Sequence, residues 1–223
     1  MPSFTTAAVA RALDHAVLRP DSTARDLAAH AAMCVDRGVG CLCVRPSDVA
    51  AAVGLLAGSP VTVASVVGFP HGSHRSETKA LEARLALADG ARELDMVMNI
   101  GRFLSGDHKR VRDDIAAVVA EAKPRGGLVK VILETCFLAP GQIAAACLLA
   151  EQAGADFVKT STGYGGDGAT PEAVRIMLDT VGGRLGVKAS GGIRSWNDAV
   201  MYLEMGCTRL GVGDAARILD GAT

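Results

Sequence analysis

The sequence predicts a single closed (β/α)8 TIM barrel, an α/β fold that takes residues 1–223 as one domain. Three observations predict it. Eight short apolar runs recur along the chain, Ala-rich helical stretches separate them, and no low-complexity linker or composition break interrupts the alternation. Helices between successive apolar strands imply parallel pairing, and eight such units within 223 residues suit closure into a barrel. An open doubly wound sheet is the competing arrangement, but the first strand-to-helix turn carries no G-x-G-x-x-G.

The strands are expected, in order, in "ALDHAVL" (12–18), "GCLCVRP" (40–46), "VTVASVVGF" (61–69) and "ELDMVMNIG" (93–101). They continue in "LVKVILET" (128–135), "DFVKTST" (156–162), "RLGVKAS" (184–190) and "TRLGVGD" (208–214). Between them, "SETKALEARLALADG" reads as a helix capped by Ser76 and ended at Gly90. Side chains alternate along a strand, so Leu94, Met96, Met98 and Ile100 share the face expected to meet helices. Asp95, Val97 and Asn99 share the face expected to meet the barrel axis. By the same count Lys159 goes inward with Phe157 and Ser161, and Lys188 with Gly186 and Ser190.

Composition excludes several classes. Formal net charge is −1, from 23 basic and 24 acidic side chains, which argues against nucleic acid as a partner. With 49% hydrophobic residues the chain can bury a large core, yet no apolar run reaches membrane-spanning length. "MPSFTTAAVARALDH" lacks the basic and apolar regions of a signal peptide, so a cytoplasmic protein is expected. The six cysteines fit that compartment as reduced, mostly buried thiols. Cys41 and Cys43 form a C-x-C pair with no partner pair nearby, so metal binding there is not expected.

Two inward lysines pose a chemical question. A free lysine titrates near pH 10.4, so only about one in two thousand is a neutral amine at pH 7. Burial and a second ammonium within about 4–6 Å both favour the neutral form. Lys159 and Lys188 could therefore yield one nucleophilic amine, able to form a Schiff base, beside one lasting cation. Asp95 beside them could move protons, directly or through water. Each residue alone has a plainer reading as a solvated rim group or a cap. On residues alone, a Schiff-base enzyme and a phosphate-binding barrel isomerase both remain open.

"ELDMVMNIG", "FVKTSTG" and "GVKASGGIR" resemble signature segments of the deoxyribose-phosphate aldolases, class I aldolases with a (β/α)8 barrel. "LDHAVLRPDST", "CLCVRPSDV" and "VVGFPHGSHRSETKALEA" extend the likeness, which runs in order over residues 12–219. The resemblance implies reversible cleavage of 2-deoxy-D-ribose 5-phosphate to acetaldehyde and D-glyceraldehyde 3-phosphate. It implies Lys159 as the Schiff-base lysine, Lys188 as the cation that lowers its pKa, and Asp95 as the acid/base partner. The iminium is then the electron sink, and neither a metal nor another cofactor is expected. The hydroxyls of Thr160, Ser161 and Thr162 could orient substrate or simply bond the loop. Asp14 matches a family position, with a capping role the equal alternative.

Phosphate is expected at outward-pointing amides after the last strands: Gly163, Gly191, Gly192, Ile193 and Arg194, with Gly211 and Gly213. The chain departs from the family in three places. Ala16 and Arg19 stand where "DHTLLKP" has threonine and lysine. "GVGDA" replaces a serine-bearing loop and brings in Asp214, which either points away from the phosphate or disfavours it. No tyrosine follows Tyr202, so the proton-transfer aid that longer members gain from a terminal tyrosine is expected to be missing. His71 and His74 read as solvated loop histidines rather than a metal pair, and Cys43 as a packed thiol near the mouth. The expected partners are a small sugar phosphate and aldehydes, and exposed helix faces leave room for a homodimer. Two rivals remain: a related Schiff-base aldolase with a different or unphosphorylated acceptor, and a non-catalytic barrel that binds sugar phosphates.

Overall fold

The computed structural model describes residues 4–222; residues 1–3, the start of "MPSFTTAAVARALDH", and residue 223 lie outside the described residues. Its strands are β1 (Leu13–Val17), β2 (Cys41–Val44), β3 (Thr62–Val67), β4 (Glu93–Val97), β5 (Leu128–Ile132), β6 (Phe157–Lys159), β7 (Gly186–Ser190) and β8 (Arg209–Val212). They close into a parallel barrel in sequence order, with β8 returning to β1. The helices are α1 (Thr6–Ala12), α2 (Ala24–Arg37), α3 (Val49–Leu55), α4 (Ser76–Ala88) and α5 (Ile100–Leu104). They continue with α6 (His108–Ala122), α7 (Pro140–Gln152), α8 (Pro171–Val181), α9 (Trp196–Met205) and α10 (Ala215–Asp220). Among the described residues no helix is long and apolar enough to cross a membrane.

Every expected strand is present, but several are shorter than their apolar runs, for reasons of local hydrogen bonding. The fourth ends at Val97 because the Asn99 side chain accepts the Arg102 amide at 3.2 Å and starts α5. Asn99 therefore does not face the axis as a strand residue, and Ile100 is already helical. Arg75, not Ser76, is the N-cap residue of α4, and no side chain caps it. The Asp214 carboxylate accepts the Arg217 amide at 3.0 Å, which ends β8 and opens α10.

The main core lies between strands and helices and contains Leu94, Met96 and Met98, as alternation requires. Inside the barrel the wall is divided. Cys41, Cys43, Ala64 and Val66 of β2 and β3 form a small apolar cluster with Leu18 and Phe69. From β4 round to β1 the interior is charged. Gly186 gives space at the lower end: a Cβ there would sit 2.2 Å from the Phe157 ring. Outside the wall, buried Lys79 donates to Asp114 at 2.5 Å and to the Val97 carbonyl at 2.9 Å. That bond ties α4 and α6 to the end of the strand that carries Asp95.

Candidate active site

Register brings the expected trio together. Lys159 is directly opposite Lys188 across β6 and β7, and Asp95 lies on the same inner wall, opposite Lys130 of β5. Both Lys159 and Lys188 donate to Asp95 Oδ2, each at 2.7 Å. Sharing one oxygen, the two nitrogens lie within about 5.4 Å of each other. All three side chains are buried.

Around them is a larger network. Lys188 also donates to Asp14 Oδ2 at 2.5 Å, and Arg209 donates to Asp14 Oδ1 and Glu93 Oε1, both at 2.6 Å. Lys130 donates to Asp95 Oδ1 at 2.8 Å and ion-pairs with Glu93 at 2.5 Å and Asp14 at 3.3 Å. Four cationic side chains thus meet three carboxylates. If Lys159 is neutral, the count balances.

The pKa directions follow that arrangement. Burial lowers Lys159 first, Asp95 opposes it, and the Lys188 charge lowers it again, for a net depression. Burial disfavours the Lys188 cation too, but Asp14 and Asp95 outweigh it and its pKa is raised. Lys130 is raised in the same way by Asp14, Asp95 and Glu93, against burial. Burial would raise Asp95, yet Lys130, Lys159 and Lys188 together hold it well below the usual carboxylate range. Lys159 alone of the three interior lysines is pushed toward the free amine.

Above the cluster a cavity of about 380 Å³ opens at the C-terminal ends of the strands. Such a volume suits a small-molecule ligand. Lys159, Lys188 and Asp14 line it, as do Gly163, Gly191, Gly192, Ile193, Gly211 and Gly213. Asp95 is not part of the lining and meets it through Lys159 and Lys188. Thr160 is turned the other way: its hydroxyl donates to the Ser190 carbonyl and accepts the Ser190 amide, both at 3.0 Å, binding β6 to β7. Arg194 is also outside the cavity lining, and its amide donates to Asp198 at 3.1 Å. Among the described residues the amides of Gly192, Ile193 and Gly213 donate to no protein acceptor. Asp214, as the cap of α10, has an oxygen engaged away from those amides.

Asp14 is no cap, since its oxygens meet Lys188 and Arg209. His71 and His74 are exposed and line separate depressions, one beside Pro70 and Tyr164, the other beside Arg75 and Asn99. Cys43 lines the cavity, and burial, then Asp95, pushes its thiol up to about 11, so it is protonated at neutral pH.

Sequence reading missed Lys130, Glu93, Arg209, Ser190 and Glu134. The first three were accessible to the parity count that found Asp95, since Glu93 stands two residues before it and Lys130 is the charge inside "LVKVI". Glu134 carried no such signal. It is buried with φ 56°, and its carboxylate accepts the Thr162 amide at 3.1 Å and the Thr162 hydroxyl. A non-glycine residue held there costs of order 1–3 kcal/mol, and the bonds it makes shape the loop after Lys159. His15 was missed as well. Its Nδ1 accepts the Ala215 amide at 3.3 Å, so Nε2 carries the proton toward His30, 2.8 Å away. Burial, then His30, pushes His15 down to about 4 and keeps it neutral.

The model of the DeoC/LacD family aldolases matches residues 8–208. The chain belongs to that family. It is 46% identical to the deoxyribose-phosphate aldolase of Thermococcus gammatolerans over 216 residues, covering 96% of each chain. It is 49% identical to that of Kocuria rhizophila over 221 residues, covering 98% of each. The structure superposes on the tetrameric deoxyribose phosphate aldolase of Aeropyrum pernix with a TM-score of 0.91 at 34% identity, covering 97% of this chain and 91% of that one. As a DeoC/LacD aldolase the chain is a carbon–carbon lyase, and the family works through a lysine Schiff base.

Lys130 should be costly to remove from this member of the family. Lys130→Met leaves Asp95 Oδ1 and Glu93 Oε2 buried without that cation and should destabilise the fold by about 3–5 kcal/mol. A urea unfolding midpoint equal to that of the unchanged protein would contradict the network's role.

Proposed function

We propose that this aldolase cleaves 2-deoxy-D-ribose 5-phosphate reversibly to acetaldehyde and D-glyceraldehyde 3-phosphate, with Lys159 as the Schiff-base residue. One observation carries the assignment. Lys159 alone combines a lowered pKa with a place in the cavity wall, while Lys188, opposite it, is held as a cation. The names of the relatives support the substrate, and the unpaired amides of Gly192, Ile193 and Gly213 support a phosphate after β7 and β8.

The steps then follow from charge. The neutral Lys159 amine attacks the C1 aldehyde of the open-chain sugar, and loss of water leaves an iminium. Its positive charge takes the place of an ammonium beside Asp95, a partner already ionised. A base removes the C3 hydroxyl proton, the C2–C3 bond breaks, and its electron pair moves to the iminium. Glyceraldehyde 3-phosphate leaves, and an enamine remains on Lys159. Protonation at C2 and hydrolysis release acetaldehyde and restore the amine. Asp95, through water, and Lys188 are the groups placed to carry these protons.

Buried free thiols support a reducing, cytoplasmic setting, and exposed Leu81 and Leu85 on α4 support a homodimer.

Incubation with acetaldehyde, borohydride reduction and peptide mapping should place the adduct on Lys159, and Lys159→Ala should abolish it. An adduct on Lys188 would reverse the assignment, and no adduct at all would favour a binding barrel. Lys188→Leu removes the like charge and leaves Asp95 more fully to Lys159, so the Lys159 pKa rises. A raised pKa leaves less free amine at neutral pH, so turnover should fall at pH 7 and partly recover in alkali. An unchanged pH–rate profile would remove the electrostatic role of Lys188.

A further inference from the structure

Arg194 was expected to offer its amide to the phosphate, yet it lies outside the cavity lining. Among the described cavity-lining residues the basic side chains are Arg19, Lys159 and Lys188. The lysines donate into the carboxylate cluster below. Arg19 stands at the mouth, with its side chain 78% exposed.

Three features make it more than a rim residue. First, β1 pairs with β8, with Asp14 opposite Gly211 and His15 opposite Val212. The loop after β1 is therefore next to Gly213, on the side of the unpaired amides. Second, that loop is held in place. Arg45, itself fixed to Asp48 at 2.7 Å, donates to the carbonyls of Arg19 at 3.0 Å, Pro20 at 3.2 Å and Ser22 at 3.0 Å. Third, the guanidinium is oriented. Asp21 accepts from Nε at 3.0 Å and from Nη2 at 2.7 Å, which uses one edge of the fork. The edge formed by Nη1 and the second Nη2 N–H stays open, and such an edge matches two phosphate oxygens.

We infer that Arg19 recognises the charged phosphate end of the substrate and sets the preference for phosphorylated over unphosphorylated deoxypentose. The inference rests on the proposed function and adds the residue that provides its selectivity.

The test compares 2-deoxyribose 5-phosphate with 2-deoxyribose in the unchanged protein, Arg19→Met and Arg19→Lys. Losing a charge-assisted contact of about 1.4 kcal/mol corresponds to about tenfold. Arg19→Met should lower the ratio of kcat/KM for the phosphorylated over the unphosphorylated sugar by about that factor. The loss should appear in KM rather than kcat, and Arg19→Lys should recover part of it. Inorganic phosphate, used as a competitive inhibitor, should weaken in parallel. A preference for the phosphorylated sugar that persists undiminished in Arg19→Met, with unchanged phosphate inhibition, would overturn the inference and leave the proposed function standing. No preference in the unchanged protein would overturn both.

Discussion

Asp95 offers one oxygen, Oδ2, to two ammonium groups, and the rest of the site depends on that shortage. Its other oxygen is taken by Lys130. Lys188 has a second carboxylate in Asp14, whereas Lys159 has none. The proton least supported by the network is therefore the one on Lys159. Burial then acts on a group whose attraction to carboxylates is too small to offset it. The same asymmetry suits the proposed later steps, in which an iminium at Lys159 would return positive charge beside an ionised Asp95.

The barrel makes such a cluster affordable in structural terms. Several kcal/mol per ion would be lost if these charges were buried singly, so each must meet partners from other strands. Parallel closure delivers them: Asp14, Glu93, Asp95, Lys130, Lys188 and Arg209 come from five strands and converge within the interior. The rest of the wall, Cys41, Cys43, Ala64 and Val66 of β2 and β3, is apolar and keeps the charges to one arc of the interior. Outside, the Lys79–Asp114 pair secures the end of β4, and Glu134 secures the loop that follows Lys159. These groups hold the geometry of the strand and loop around the cluster.

Much of this was legible in the sequence because alternation along a buried strand has period two. Leu94 and Met96 outward, and Asp95, Lys159 and Lys188 inward, all follow from that count. Strand ends were less legible, because a side chain that accepts a backbone amide can end an apolar run: Asn99 does so after β4 and Asp214 after β8. The ionic partners were hidden for another reason. Lys130 reaches Asp95 from a strand 35 positions away in sequence, and Arg209 reaches Asp14 across 195. Such pairs exist only once the barrel has closed. Thr160 and Arg194 looked suitable by position, but the first spends its hydroxyl on a neighbouring strand and the second its amide on Asp198.

The central claim is that Lys159 is the interior lysine whose proton is least held. It is tested most directly by NMR titration of lysine side chains carrying a 13C label at the ε-carbon, with the Lys159 signal identified by its loss in Lys159→Met. The account predicts that Lys159 titrates below the exposed lysines of the same protein, while Lys188 and Lys130 titrate above them. A Lys159 signal that titrates with or above the exposed lysines would contradict it.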